Sequence, residues 1–198
     1  MRVLVTSLKG GVGKTTTAVH LAAFLQLRGP TLLVDADPAE GALVWARQGS
    51  GLPFEVSTPE EARPKRFEHL VIDTRGHPKG KTLREYGDKA DLVVVPTSPG
   101  ALSLVSLEQF MSELGGLPMR ALVTLVPPFP SLDGLRTLNY LRSRRLPHFR
   151  VAICRLAAYE KAVVAGTLVQ NVNDPRAERA WEDYAAAGRE LLELGAEG

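Results

Sequence analysis

The sequence predicts an α/β fold: a mostly parallel, twisted sheet with helices on both faces. Three observations carry this. Short apolar, β-branched runs alternate with longer helical patterns, the order that produces right-handed strand–helix–strand crossovers. Several of these runs are apolar on both sides, as strands covered on two faces must be. And the first run turns at once through a Gly-rich loop into a helix-forming stretch. With 198 residues and 44% hydrophobic content the chain can bury a real core. No linker divides it, so residues 1–198 are expected to form a single domain.

Strands are expected at Val3–Ser7, Thr31–Asp35, His69–Asp73, Leu92–Pro96, Ala121–Val126 and Arg150–Cys154. Helices are expected between them. Thr15–Leu27 closes at Gly29, a residue type suited to a left-handed C-cap, and Leu102–Leu114 closes at Gly115-Gly116. Leu135–Arg145 and Ala177–Leu194 follow Asp-Gly and Asp-Pro starts. The Gly/Pro/Glu-rich stretch Gln48–Arg66 reads as a loop with room for one short strand.

The Gly-rich loop is Lys9-Gly10-Gly11-Val12-Gly13-Lys14-Thr15-Thr16, between the first strand and the first helix. That is the setting a phosphate loop requires. Glycines let backbone N–H groups crowd around phosphates, and the helix N-terminus adds positive potential. Lys14 would reach the β- and γ-phosphates, and Thr15 would place its hydroxyl on Mg²⁺. The pattern G-x-x-x-x-G-K-[ST] is not met, because its first glycine position holds Leu8; K-G-G-x-G-K-[ST] is met instead, with Lys9 as an extra cation. The third strand ends in Asp73, placed to hold a water of the Mg²⁺ shell, since Mg²⁺ keeps several waters and uses few carboxylates. Asp73-Thr74-Arg75-Gly76 has an Asp-x-x-Gly spacing that lets the Gly76 N–H touch a γ-phosphate. Guanine recognition usually needs Asn-Lys-x-Asp or Thr-Lys-x-Asp after a late strand; the near match Asp88-Lys89-Ala90-Asp91 starts with the wrong residue and precedes a strand. The fold is thus that of a P-loop NTPase, with ATP as the nucleotide.

In this order the motifs resemble the ParA family, whose deviant Walker box carries the extra lysine. The second strand closes on Asp35-Ala36-Asp37-Pro38, similar to the family's D-x-D-P, and Ala90–Pro96 resembles its next strand. Ala158–Ala162 and Gly166 resemble its C-terminal region, so the likeness spans nearly the whole chain. The chain departs from the family at Thr74-Arg75-Gly76, where Thr-Pro-Pro is common. The resemblance implies ATP and Mg²⁺ as ligands and slow, partner-stimulated ATP hydrolysis. It implies that Lys9 reaches across a nucleotide-sandwiched homodimer to the partner subunit's phosphates. It implies that Asp35 supports the Mg²⁺ shell with Thr15 and Asp73, and that Asp37 positions or polarises the attacking water. Asp37 also suits an N-cap, with Pro38 at the first helical position. Thr124–Pro128 resembles the adenine-side loop, which puts Pro127 against the nucleotide; two prolines after a strand would also simply end it.

The remaining features bear on partners. A net charge of +2 leaves any basic surface local. Arg136, Arg142, Arg144, Arg145 and Arg150 form such a run, followed by Arg155 and Lys161, and helical spacing puts Arg142 and Arg145 on one face. With the family's habit of binding nonspecific DNA, this run is the candidate DNA patch; a solvated helix face is the alternative. The resemblance further implies a ParB-like or other cargo-adaptor protein as partner. Trp181–Gly198 is too acidic for a basic membrane-binding helix, no apolar run approaches a membrane span, and no signal peptide is apparent. Lone Cys154 permits neither an intrachain disulfide nor a cysteine-bound cluster, in keeping with a cytoplasmic setting. The competing reading is a metabolic ATP-dependent enzyme of the same superfamily.

Overall fold

In a computed structural model the described residues are 1–49, 51–63, 65–76 and 80–196. Their elements run β1 (Arg2–Ser7), α1 (Lys14–Gln26), β2 (Thr31–Ala36), α2 (Gly41–Arg47), β3 (Glu55–Ser57) and β4 (His69–Gly76). They continue α3 (Gly80–Gly87), β5 (Leu92–Thr97), α4 (Ala101–Glu113), β6 (Met119–Val126), α5 (Asp133–Ser143), β7 (His148–Cys154), α6 (Ala157–Ala165) and α7 (Ala177–Ala196). A 3₁₀ turn at Val169–Asn171 precedes α7. All six predicted strands are present. The short strand for which Gln48–Arg66 left room is β3; Ser50 and Pro64 of that stretch lie outside the described residues.

The seven strands form one sheet in the order β3-β2-β4-β1-β5-β6-β7, and every pairing is parallel. Strand alternation assigns side chains to the two faces. Val3, Val5 and Val94 join α1 and α7 residues such as Val19, Ala22, Ala187 and Leu191 in one core. Leu4, Val93 and Val95 join Leu104, Leu107, Phe110 and Leu141 of α4 and α5 in the other. A strand buried on both sides cannot alternate apolar with polar, and β5 (Leu92–Thr97) is buried at every position.

The chain leaves β1 towards β2 on one side and leaves β5 towards β6 on the other. Loops therefore diverge at the carboxyl ends of β1 and β5, where open parallel sheets open a crevice for ligands. Two expected helix ends differ. Gly29 does not close α1 in a left-handed conformation; a Cβ there would lie 2.5 Å from a carboxylate oxygen of Glu68, so the glycine serves close packing. And α5 stops at Ser143, with Arg145 itself in the left-handed region at φ 54°.

Candidate functional site

The Gly-rich loop joins β1 to α1 as expected. Gly11 and Gly13 hold φ of 71° and 81°, left-handed values that let the loop fold back over the start of α1. A Cβ at Gly10, Gly11 or Gly13 would meet only open space, so the concave side of the loop is free for a ligand. No acid lies in the first turn of α1 and no side chain caps it, so its N–H groups remain available to an anion.

The two lysines point in different directions. Lys14 is 8% exposed, and its Nζ donates to the Lys9 carbonyl at 3.3 Å; the same oxygen accepts from the Ser7 hydroxyl at 2.8 Å. The Lys14 ammonium thus stays inside the loop's own curve. Lys9 instead donates from Nζ to Ser103 Oγ on α4 at 3.4 Å, and Ser103 lies 3.1 Å from Ser98 Oγ. On the other side, Thr124 of β6 offers its hydroxyl to the carbonyls of Val12 (2.8 Å) and Thr97 (3.2 Å), pinning the loop to the sheet. Sequence patterns gave no sign of Ser103 or Thr124 as loop supports, because short hydroxyl residues in strands and helices carry no distinctive spacing.

The three aspartates stand together at the ends of paired strands: Asp35 and Asp73 are in register across β2 and β4. Thr15 donates from Oγ1 to Asp73 Oδ2 at 2.6 Å. Asp73 is fully buried, and its Oδ1 has no partner among the described residues. Burial pushes this carboxyl up to about 7; the Thr15 hydroxyl opposes the rise and nearby Asp35 adds to it. An orphaned carboxylate oxygen beside a threonine hydroxyl is what a Mg²⁺ ion with its waters would satisfy. Gly76 closes the other wall. A Cβ there would lie 3.5 Å from Gly10 N and 3.6 Å from Lys14 Nζ, so the glycine backbone abuts the cradle directly. Glycines, Lys14, Thr15, Asp73 and Gly76 therefore fit a magnesium-bound polyphosphate.

Asp35 and Asp37 divide their roles unexpectedly. Asp35 Oδ2 accepts from the N–H groups of Ala42 (2.9 Å) and Leu43 (3.0 Å), and Oδ1 accepts from Asp37 N at 3.1 Å. The cap on α2 is thus supplied by Asp35. Asp37 is not an N-cap: α2 begins four residues later, and Asp37 Oδ1 accepts only from Ala39 N (3.0 Å) in a local turn. That leaves the half-buried Asp37 carboxylate with lone pairs to spare beside the loop.

A cavity of about 430 Å³ opens beside the loop, lined by Gly11, Gly13 and Thr16 and by residues from the ends of β6 and β7 and from α6, including Leu125, Arg155 and Tyr159. It is large enough for a purine nucleoside. Thr124 and Leu125 line it, both from the stretch Thr124–Pro128 that the resemblance assigns to the adenine side; Pro127 of that stretch is not among the lining residues. Tyr184 of α7 also reaches it, with its hydroxyl 3.0 Å from Thr17 Oγ1.

The arginine run disperses in space. Arg136 pairs with Asp133 (3.6 Å), Arg144 with Glu108 (2.7 Å), Arg150 with Glu190 and Glu193, and Lys161 with Asp174 (2.8 Å). Three of these four pairings recruit acids distant in sequence from the run. Arg142 and Arg145 remain exposed and share a depression of about 530 Å³ with Arg120 and His148, at the amino ends of β6 and β7, opposite the phosphate loop. Their common face comes from the turn at Arg145, not from helical spacing. Among the described residues no helix is long and apolar enough to cross a membrane.

Comparison with known proteins agrees with this geometry. Residues 3–185 match the sequence family described as "CobQ/CobB/MinD/ParA nucleotide binding domain". The chain is 34% identical over 196 residues to a maintenance of carboxysome distribution protein A from Gloeobacter kilaueensis, covering 92% of this chain and 90% of that one. It is 55% identical over 99 residues to the chromosome-partitioning ATPase Soj of Thermus thermophilus, covering 49% of this chain and 38% of Soj. A putative plasmid partition protein of Borrelia burgdorferi, solved bound to AMPPNP, shares the fold with a TM-score of 0.70 at 15% identity, over 99% of this chain and 98% of that one. With a Gly-rich loop, paired lysines and strand-end aspartates in one crevice, and a family match over nearly its whole length, the chain belongs to the CobQ/CobB/MinD/ParA nucleotide-binding domain family.

Proposed function

We propose that this chain is an ATP-driven positioning protein, acting as one ATPase domain over residues 1–198. In this reading Gly10 to Thr16 cradle the phosphates of ATP, and Thr15, with Asp73 and Asp35 behind it, holds Mg²⁺. Gly76 reads the γ-phosphate and Asp37 orients the attacking water. ATP joins two chains into a dimer in which Lys9 serves the partner's phosphates. The dimer holds nonspecific DNA, and a ParB-like or other adaptor links it to cargo and triggers hydrolysis. The names of the relatives and of a solved neighbour point to carboxysomes, chromosomes and plasmids as kinds of cargo.

The observation that supports this reading is that the two lysines are anchored differently. Lys14 closes its own cradle, whereas Lys9 points away from it. In this reading Lys14 serves the chain's own nucleotide and Lys9 a second one. The test is light scattering of the hydrolysis-blocked Asp37→Ala chain. It should be a dimer with MgATP and a monomer with ADP, and Lys9→Ala added to it should bind ATP but stay monomeric. ATP-bound chains that remain monomeric would refute the sandwich, and turnover of a small-molecule substrate would favour a metabolic enzyme.

A further inference from the structure

Two glycines lock the end of α2 to the end of α6. Gly49 and Gly166 hold φ of 56° and 60°, left-handed values that favour glycine. A Cβ on Gly49 would run into the Ala165 carbonyl oxygen, and one on Gly166 into the Gln48 carbonyl oxygen. The two segments therefore meet backbone to backbone, with no room for a side chain between them. Polar contacts close the joint. Trp45 of α2, itself buried, donates from Nε1 to the Thr167 carbonyl at 3.0 Å. With its amide nitrogen turned towards α6, Gln48 donates to the Val163 and Val164 carbonyls at 3.0 and 3.1 Å. Those are groups that a helix C-terminus otherwise leaves without partners.

The joined helices reach two different parts of the candidate nucleotide site. Asp35 holds the first N–H groups of α2, and the first residue of α2 abuts Thr15: a Cβ on Gly41 would lie 3.4 Å from Thr15 Oγ1. Helix α6 supplies Tyr159, Glu160 and Val163 to the cavity of about 430 Å³ beside the loop. Val163 is thus both a wall of that cavity and an acceptor of the Gln48 amide. At seven residues α2 is only about 10 Å long. It works as a short strut, with Asp35 and Thr15 at one end and the nucleoside wall at the other.

We infer that Trp45, Gln48, Gly49 and Gly166 are positioning residues that join α2 and α6 into one body, so that Mg²⁺ at Thr15 and a base in the cavity strengthen each other's binding. The inference rests on the nucleotide reading above and adds a coupling between its two ends. A ligand that fixes the start of α2 fixes α6 as well, and the base then meets a wall already ordered. The four residues act through the helices, since none of them lines the cavity.

The test compares ADP with pyrophosphate, which lacks the base, by calorimetric titration of the full chain with and without Mg²⁺. For each protein the quantity read is the Mg²⁺ enhancement for ADP divided by that for pyrophosphate. Chelation of Mg²⁺ in solution is common to all proteins and cancels between them. In Gln48→Ala this ratio should fall about fivefold or more, while pyrophosphate binding in Mg²⁺ is unchanged, because the loop keeps its own contacts. An unaltered ratio in Gln48→Ala would overturn the coupling. A parent chain that binds neither ligand in Mg²⁺ would instead overturn the phosphate-loop reading, and the inference with it. Hydrogen exchange of the parent keeps the test sound should Gln48→Ala misfold. Magnesium pyrophosphate has no base to touch α6, yet amides of Ala157–Ala165 should exchange more slowly in its presence. Slowing that reaches the phosphate loop and α2 but not α6 would overturn the joint.

Discussion

Replacing His20 by Phe should remove a specific acid sensitivity from the fold. His20 is wholly buried on α1, one turn after Thr16 at the end of the phosphate loop. Its ring stacks on Tyr184 at 4.8 Å and meets Trp45 and Tyr159 edge-on. Nδ1–H donates to the Thr16 carbonyl at 2.7 Å, which leaves Nε2 to accept from Val169 N at 3.4 Å. Both ring nitrogens are engaged by the neutral form, and burial lowers the pKa from 6.5 to about 4. The unfolded chain takes up this proton as pH falls through 6.5, whereas the folded chain resists until about 4. The contribution is therefore intact above about pH 6.5 and lost progressively between 6.5 and 4, a fall of about 3 kcal/mol at about 1.4 kcal/mol per pH unit. Urea unfolding of both proteins at pH 7, 6, 5 and 4.5 measures it. His20→Phe should be less stable at pH 7 by roughly 1–3 kcal/mol, having orphaned the Val169 N–H. The gap should then narrow steadily as the wild type loses its pH-dependent part. Parallel curves for the two proteins would refute the buried neutral histidine.

Three further outcomes follow from the site. Lys14→Ala should lose ATP affinity by at least 100-fold, because it removes the charge-assisted contacts of a nearly buried ammonium; calorimetric titration reads this directly. Gly76→Ala should fold normally, since the new Cβ meets its neighbours at ordinary distances of 3.5–3.6 Å. By filling space beside Gly10 and Lys14 it should reduce the preference for ATP over ADP about tenfold, as measured by competition with a fluorescent nucleotide. Arg142→Glu/Arg145→Glu should abolish a gel shift of random duplex DNA with MgATP, while Arg144→Glu, whose guanidinium is already held by Glu108, should weaken it far less. Equal effects of the two would place the phosphate contacts elsewhere.

The architecture was legible in the sequence because its determinants are local. Apolar runs such as Leu92–Thr97 report burial on both faces whatever they pack against, and the alternation of strands with helical patterns leaves a parallel sheet as the natural product. The loop from Lys9 to Thr16 was equally plain, since phosphate binding demands glycines and a lysine at fixed spacing. Short elements were less visible. Helices α2, α3 and α6 span seven to nine residues, too few for a decisive periodicity.

What the tertiary structure decided were the pairings between distant segments. A sequence records that Asp35 and Asp37 are two residues apart, but only the fold turns Asp35 onto the start of α2 and leaves Asp37 with spare lone pairs. A run of arginines reads as a basic patch until Glu108, Glu190 and Glu193 arrive from other helices to neutralise part of it. Likewise, the spacing of Lys9 and Lys14 is fixed in the chain, while the separate anchoring of Lys9 depends on Ser103, 94 residues away. The physical reason is the range of the interactions: hydrophobic periodicity and backbone conformation act between near neighbours, whereas hydrogen bonds and ion pairs act between whichever groups the finished fold brings within about 3 Å.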